Sequence, residues 1–150
     1  MKTIQTTAKY IEWISAEDMH TNSLHWLSQL RFIKDEHHFF EHLISSFSTE
    51  LQELDIFSSD KEIIDVLNRS YRTTAQLIDT VVTHEKELTI MIDEIDQPED
   101  EKIYKKTHRK LSVEIAAFFQ EYRDLKTQLF NIIKNIKKED KLRSLFDKNH

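Results

Sequence analysis

Apolar residues recur at alternating spacings of three and four along three long stretches of this chain. The first stretch comprises Trp26, Leu30, Ile33, His37, Phe40, Ile44, Phe47, Leu51 and Leu54. The second comprises Ile64, Leu67, Tyr71, Thr74, Ile78, Val81, Glu85, Leu88, Ile92 and Ile95, and the third Tyr104, His108, Leu111, Ile115, Phe118, Tyr122, Leu125, Leu129, Ile132 and Ile136. Such spacing returns to one side of an α-helix at every turn and lays down a stripe that partner helices must cover. The pattern predicts an all-α fold: an elongated antiparallel, up-down-up bundle of three long helices, with a short N-terminal helix or arm as a further element. Each stripe also holds one ionisable residue, His37, Glu85 or His108, and these exceptions are where chemistry must be sought.

Residues 1–15 carry Ile4, Tyr10, Ile11, Trp13 and Ile14 without a sustained period and read as an N-terminal arm. Residues 16–150 read as a single helical-bundle domain. Ser15 followed by Asp18, or Thr21 with Asn22, suits the start of the first helix, which should run to about Leu54. Residues 55–60 form the first turn, and Ser59 followed by Glu62 fits a capping box. The second helix should end near Ile95. Pro98 suits the first turn of the third helix, where its missing N–H costs nothing, and Glu99, Asp100 and Glu101 suit the positive end of the helix dipole. This helix should reach about Lys138, with Leu142, Leu145 and Phe146 continuing it or folding back. Helices of about 36 to 40 residues would each span on the order of 55 Å. Apolar flanks at Leu27, Leu43, Ile63, Leu77, Met91, Phe119 and Ile133 exceed what three helices cover, so the arm or a second subunit is expected on them.

Composition narrows the function. The 150 residues include no Gly and one Pro, which removes the turn chemistry of sheets as well as phosphate-binding loops and G-x-S-x-G nucleophile elbows. Cys is absent, and with it disulfides, thiolate metal sites and thiol nucleophiles. No run approaches about 18 apolar residues, and no secretory signal is evident at the start, so a cytoplasmic location is expected. A net charge of −6 argues against a nucleic-acid partner, since phosphate binding depends on clustered Lys and Arg. The basic block Lys102, Lys105, Lys106, Arg109 and Lys110 directly follows the acidic block Asp93, Glu94, Asp96, Glu99, Asp100 and Glu101, so their fields partly cancel. Between residues 134 and 143 lie five basic and two acidic residues, suited to a helix C-terminus or to an anionic partner.

Two arrangements are open for the polar seam residues. Reflected about a turn centred near Gln97 and Pro98, Glu85 and His108 differ in height by about 3 Å, whereas His37 lies roughly 10 Å further along. A metal centre would use Glu85, His108 and His84, with His37 or Glu36 completing the set and Glu114 a further candidate; Fe, Mn or Zn would suit these donors. A purely structural arrangement would pair Glu85 with His108 and satisfy His37 with a hydroxyl from Tyr122, Thr74 or Tyr71. A buried carboxylate needs a proton, a cationic imidazole or a metal in either case.

Short motifs touch known families. His37 with Glu41 and His38 with His42 resemble pieces of the hemerythrin pattern, but here they overlap on one helix. Glu17 with His20 is a single E-x-x-H of the ferritin type, and His84–Glu85 opens a segment lacking the second His of a zinc-protease helix. Trp26, Ser28, Leu30, Phe32, Lys34, Asp35 and Glu36, followed by His84, Glu85 and Leu88 and then His108, resemble the W-x-S-x-L-x-F-x-K-D-E and H-E-x-x-L segments of small all-helical bundle proteins with no assigned activity. No catalytic constellation is complete. The reading is therefore a non-enzymatic bundle, with no cofactor, that binds a protein partner or a second copy as a homodimer; the alternative is a metal-binding bundle.

Overall fold

The computed structural model describes residues 14–47, 58–93 and 98–147, which form three α-helices and, among the described residues, no strand. They are α1 (Ala16–Ser46), α2 (Ser58–Asp93) and α3 (Pro98–Asp147). The chain divides into two compact units, Met1–Ile33 with Thr74–Phe118 and Lys34–Thr73 with Phe119–His150, so each unit holds a segment of every helix. Most of the expected arm, at residues 1–13, and the stretches 48–57 and 94–97 lie outside the described residues; of the first turn expected at 55–60, residues 58–60 instead begin α2.

The helix starts follow from local chemistry. Ser15 Oγ accepts the Asp18 amide at 3.1 Å and the Ser15 carbonyl accepts the Met19 amide at 3.0 Å, so Ser15 caps α1 as expected. Glu17 and Asp18 then occupy the positive end of that helix, as Glu99, Asp100 and Glu101 do behind Pro98 in α3. α2 begins one residue ahead of Ser59, and α3 continues through Leu142 and Leu145.

In the first unit, Ile14 and Met19 pack with Leu88 and Tyr104. One residue further along α1, His20 meets Glu85, and Asn22 meets His108. Partner numbers thus fall along α2 and rise along α3, so α2 is antiparallel to both of its neighbours. In the second unit Glu36 meets Tyr122 and Phe40 meets Phe130, again a parallel α1–α3 pair.

The α3 stripe is buried as its periodicity predicts, through Tyr104, His108, Leu111, Ile115, Phe118, Tyr122, Leu125, Leu129 and Ile136, with Ile133 taking the place of Ile132. On α1, Trp26, Leu30, Ile33, His37 and Phe40 are buried with Met19, Ser23 and Leu27 alongside. α2 corrects the sequence reading. Its core face is Ile63, Leu67, Thr74, Leu77, Val81, His84 and Leu88, while Ile64, Tyr71, Ile78 and Glu85 are half-buried and Ile92 is 59% exposed. Ile64, Ile78 and Glu85 give way to Ile63, Leu77 and His84, each one position earlier, while Leu67, Thr74, Val81 and Leu88 stay buried, so the centre of the buried face turns by about half of the 100° between successive residues. Ile63 and Ile64, or Leu77 and Ile78, are equally apolar, so periodicity alone did not fix the phase.

The cap offers a direct check. Ser15→Ala should lower unfolding free energy by about 1 kcal/mol in urea titrations, and Ser15→Asp should retain most of it. No loss in the alanine variant would show that the cap does not hold α1.

Candidate functional site

The rotation of α2 decides which polar groups meet. With His84 turned into the core of the first unit, its Nε2 lies 2.9 Å from His108 Nδ1. Glu85, one residue on, is turned toward α1, where its Oε2 hydrogen-bonds His20 Nδ1. The expected Glu85–His108 pair is therefore replaced by two others, His84–His108 and His20–Glu85. His84 also sits level with the stretch from Tyr104 to His108, which places the mirror point of the α2–α3 pair a few residues before Pro98.

Three further side chains complete this interior. Asn22 Nδ2 is 3.3 Å from His108 Nε2. Trp26 stacks on His108 at 4.8 Å between ring centroids, and Tyr104 stacks on His84 at 4.2 Å with the rings 3° from parallel. The Tyr104 hydroxyl donates to the His84 backbone carbonyl at 3.0 Å. With the Asn22 amide donating to His108 Nε2, His108 must donate from Nδ1 to His84 Nε2, which places the His84 proton on Nδ1. His84 Nδ1, Glu85 Oε1 and Ser23 Oγ are buried atoms with no hydrogen-bond partner among the described residues.

Electrostatics keeps the imidazoles neutral. Burial holds His84 below the ordinary histidine value of 6.5, and burial together with the adjoining His84 brings His108 to about 4. Burial, followed by the charges of Glu85 and Glu87, pushes the Tyr104 phenol well above its usual range. A neutral pair of this kind serves to align helices; the hydrogen-bonded chain from Asn22 through His108 to His84 leads to no hydroxyl or thiol nucleophile among the described residues.

Glu36 and His37 belong to the second unit. His37, fully buried, has Nε2 3.0 Å from Ser70 Oγ and lies against the rings of Tyr71 and Tyr122. Ser70 thus supplies a hydroxyl to His37. Glu36 accepts the Tyr122 hydroxyl at 3.0 Å and pairs with Lys126 Nζ at 2.8 Å. Burial, then the bond to Glu36, raises the Tyr122 pKa. Of the five proposed metal ligands, His84 and His108 come together. Glu85 is turned to His20, and Glu36 and His37 have their own partners in the second unit. Among the described residues no three His, Asp or Glu side chains converge as a ligand set.

Sequence reasoning missed His20, Asn22 and Ser70. His20 was visible only as the end of the local E-x-x-H, whereas its partner is 65 positions away. A polar position beside the apolar Met19 and facing the Glu85 side of α2 is the signal that would have found it.

Also in the first unit, a groove runs between α2 and α3. Its upper part, about 450 Å³, is lined by Thr83, His84, Lys110, Leu111 and others; its lower part, about 240 Å³, by Ile90, Met91, Asp100, Ile103 and Tyr104, with Glu87 and Thr107 common to both. Ile90 and Ile103 are 59% and 63% exposed on the two sides of the lower part. No family model, curated protein or solved structure matches this chain. No described helix is long and apolar enough to cross a membrane.

The imidazole pair yields two tests. His84 and His108 bind protons less readily folded than unfolded, so acidification favours the unfolded chain. Stability should be level above the unfolded histidine value of 6.5 and fall as pH drops from there toward about 4. The slope should approach about 1.4 kcal/mol per pH unit for each imidazole in urea titrations. A flat profile across that window would show that the pair is not buried neutral. Separately, His108→Leu should cost about 1–3 kcal/mol by stranding His84 Nε2 and Asn22. The His84→Leu/His108→Leu double variant should cost less than the sum of the single ones, and strict additivity in the same titrations would mean the rings do not meet.

Proposed function

We propose that this chain is a cytoplasmic, non-enzymatic helical protein that works by holding a helix of another protein, or of a second copy of itself, in the α2–α3 groove of the first unit. One observation carries the reading: Ile90 and Ile103, each more than half exposed, flank the same cleft beside Met91. Scattered exposed apolar residues need no explanation, but two isoleucines converging on a concave strip form the kind of floor that takes the apolar edge of a helix. Covering an isoleucine completely is worth roughly 1.5–3 kcal/mol before the cost of association is subtracted. The energy available therefore suits a weak, concentration-dependent contact, on the scale of millimolar to micromolar dissociation constants.

The buried polar groups support this reading from the other side. His84 with His108 and His37 with Ser70 bond across helices and so specify how the helices align, while leaving the surface to do the binding. The alternative, a metal-binding bundle, would start from the facing nitrogens of His84 and His108 at 2.9 Å. Elemental analysis separates the two: one Fe, Mn or Zn per chain, lost in His108→Ala, would favour metal binding.

The groove predicts that Ile103→Arg lowers self-association or partner binding at least tenfold in sedimentation or titration experiments, with helix content and melting temperature little changed because the site is exposed. Unchanged association in that variant would exclude the groove as the binding surface.

A further inference from the structure

We infer that the helix held in this groove is the C-terminal end of α3 from a second copy of the chain. The inference rests on the groove reading and names its occupant. In the second unit, Leu129, Ile133 and Ile136 of α3 are buried. Further along, Leu142 and Leu145 are 60% and 54% exposed. At 100° per residue, these leucines fall on the side of α3 opposite the buried stripe. They share that outward side with Lys134, Lys138 and Lys141, all exposed. The positions 134, 138, 141, 142 and 145 form one stripe at helical spacing, so lysine and leucine are presented together rather than on separate faces.

The lower part of the groove is the matching surface. Its apolar members are Ile90, Met91, Ile103 and Tyr104, and the charged residues lining it, Glu87 and Asp100, are both carboxylates. Leucines set among lysines would therefore place apolar side chains against Ile90 and Ile103 and cations against Glu87 and Asp100. A purely apolar helix would leave those carboxylates facing nothing of opposite sign, and an acidic one would be repelled. Each copy carries both this groove and this helix end, so the contact is between unlike surfaces. It closes if two copies exchange ends and propagates otherwise.

Because the surfaces differ, two defective variants can repair each other. Ile90→Arg/Ile103→Arg loses the groove and keeps the helix end; Leu142→Ser/Leu145→Ser does the reverse. All four positions are exposed, so both variants should remain helical by circular dichroism. In sedimentation from about 10 μM to about 1 mM, the native chain should associate and each variant alone should do so at least tenfold more weakly. An equimolar mixture should form a heterodimer through the one intact groove and the one intact end. Raising NaCl should weaken the native contact, as screening of the lysine–carboxylate pairing requires. If the groove variant abolishes association while the leucine variant leaves it intact, another segment fills the groove; the inference falls and the groove reading stands. If association survives in the groove variant, the groove reading falls. A native chain that stays monomeric to about 1 mM, or a mixture that fails to pair, overturns the second-copy occupant.

Discussion

An imidazole can remain in an apolar helix seam only while it is uncharged and at least one of its nitrogens has a hydrogen-bond partner. In the first unit His84 and His108 meet that condition largely for each other, and this fixes more than their own positions. Sliding α2 against α3 by one turn would strand both rings. Sliding α1 would remove Asn22 from His108 Nε2 and Trp26 from the His108 face. The apolar residues around them, such as Leu88, Val81, Leu111 and Ile115, supply attraction but tolerate several registers, because leucine on isoleucine is much the same one turn along. Alignment thus comes from the polar groups and cohesion from the apolar ones. The second unit uses a different device: Glu36 with Lys126 and Tyr122 is a charged cluster nearer the surface, and His37 bonds Ser70 beneath it.

How much of this was legible follows from which residues carry information. Along α3 the buried positions from Tyr104 to Leu129 are those the spacing selects, because the alternatives on either side are mostly charged or hydroxylated and leave no choice of face. The Ser15 cap was equally readable, since the capping hydroxyl and the amide that donates to it lie three residues apart. On α2 two faces competed. Ile63 against Ile64, Leu77 against Ile78, and His84 against Glu85 differ by one position and little in polarity, so the buried face could turn by about 50° without offending the pattern. That single uncertainty moved the carboxylate into the seam and the imidazole out of it, and with them the expected site.

The candidate site was accordingly half visible. His84 and His108 were recognised as residues of interest, but their relation to each other required the phase of α2, and the His20–Glu85 bond required the register of α1 as well. Neither quantity is local. The same limit explains why metal ligation and a structural pair could both be read from one set of letters: histidine and glutamate at seam positions satisfy either until the direction of each side chain is known.

What the interior does bears on what the exterior can do. Polar groups in a helical core seldom add net stability over well-packed apolar ones, although they penalise wrong alignments. A bundle aligned in this way presents its grooves in a defined geometry, and geometry is what a shallow apolar strip needs in order to discriminate between partners. The strip flanked by Ile90 and Ile103 has little area, so on the proposed reading its selectivity would come from the sign of the carboxylates around it and from a cleft of fixed shape. Tyr104 joins the two levels: its ring stacks on His84 inside, its hydroxyl holds the His84 carbonyl, and its position lines the groove outside. A change that disturbs the imidazole pair should therefore be felt at the lower part of the groove through Tyr104, whose ring rests on His84.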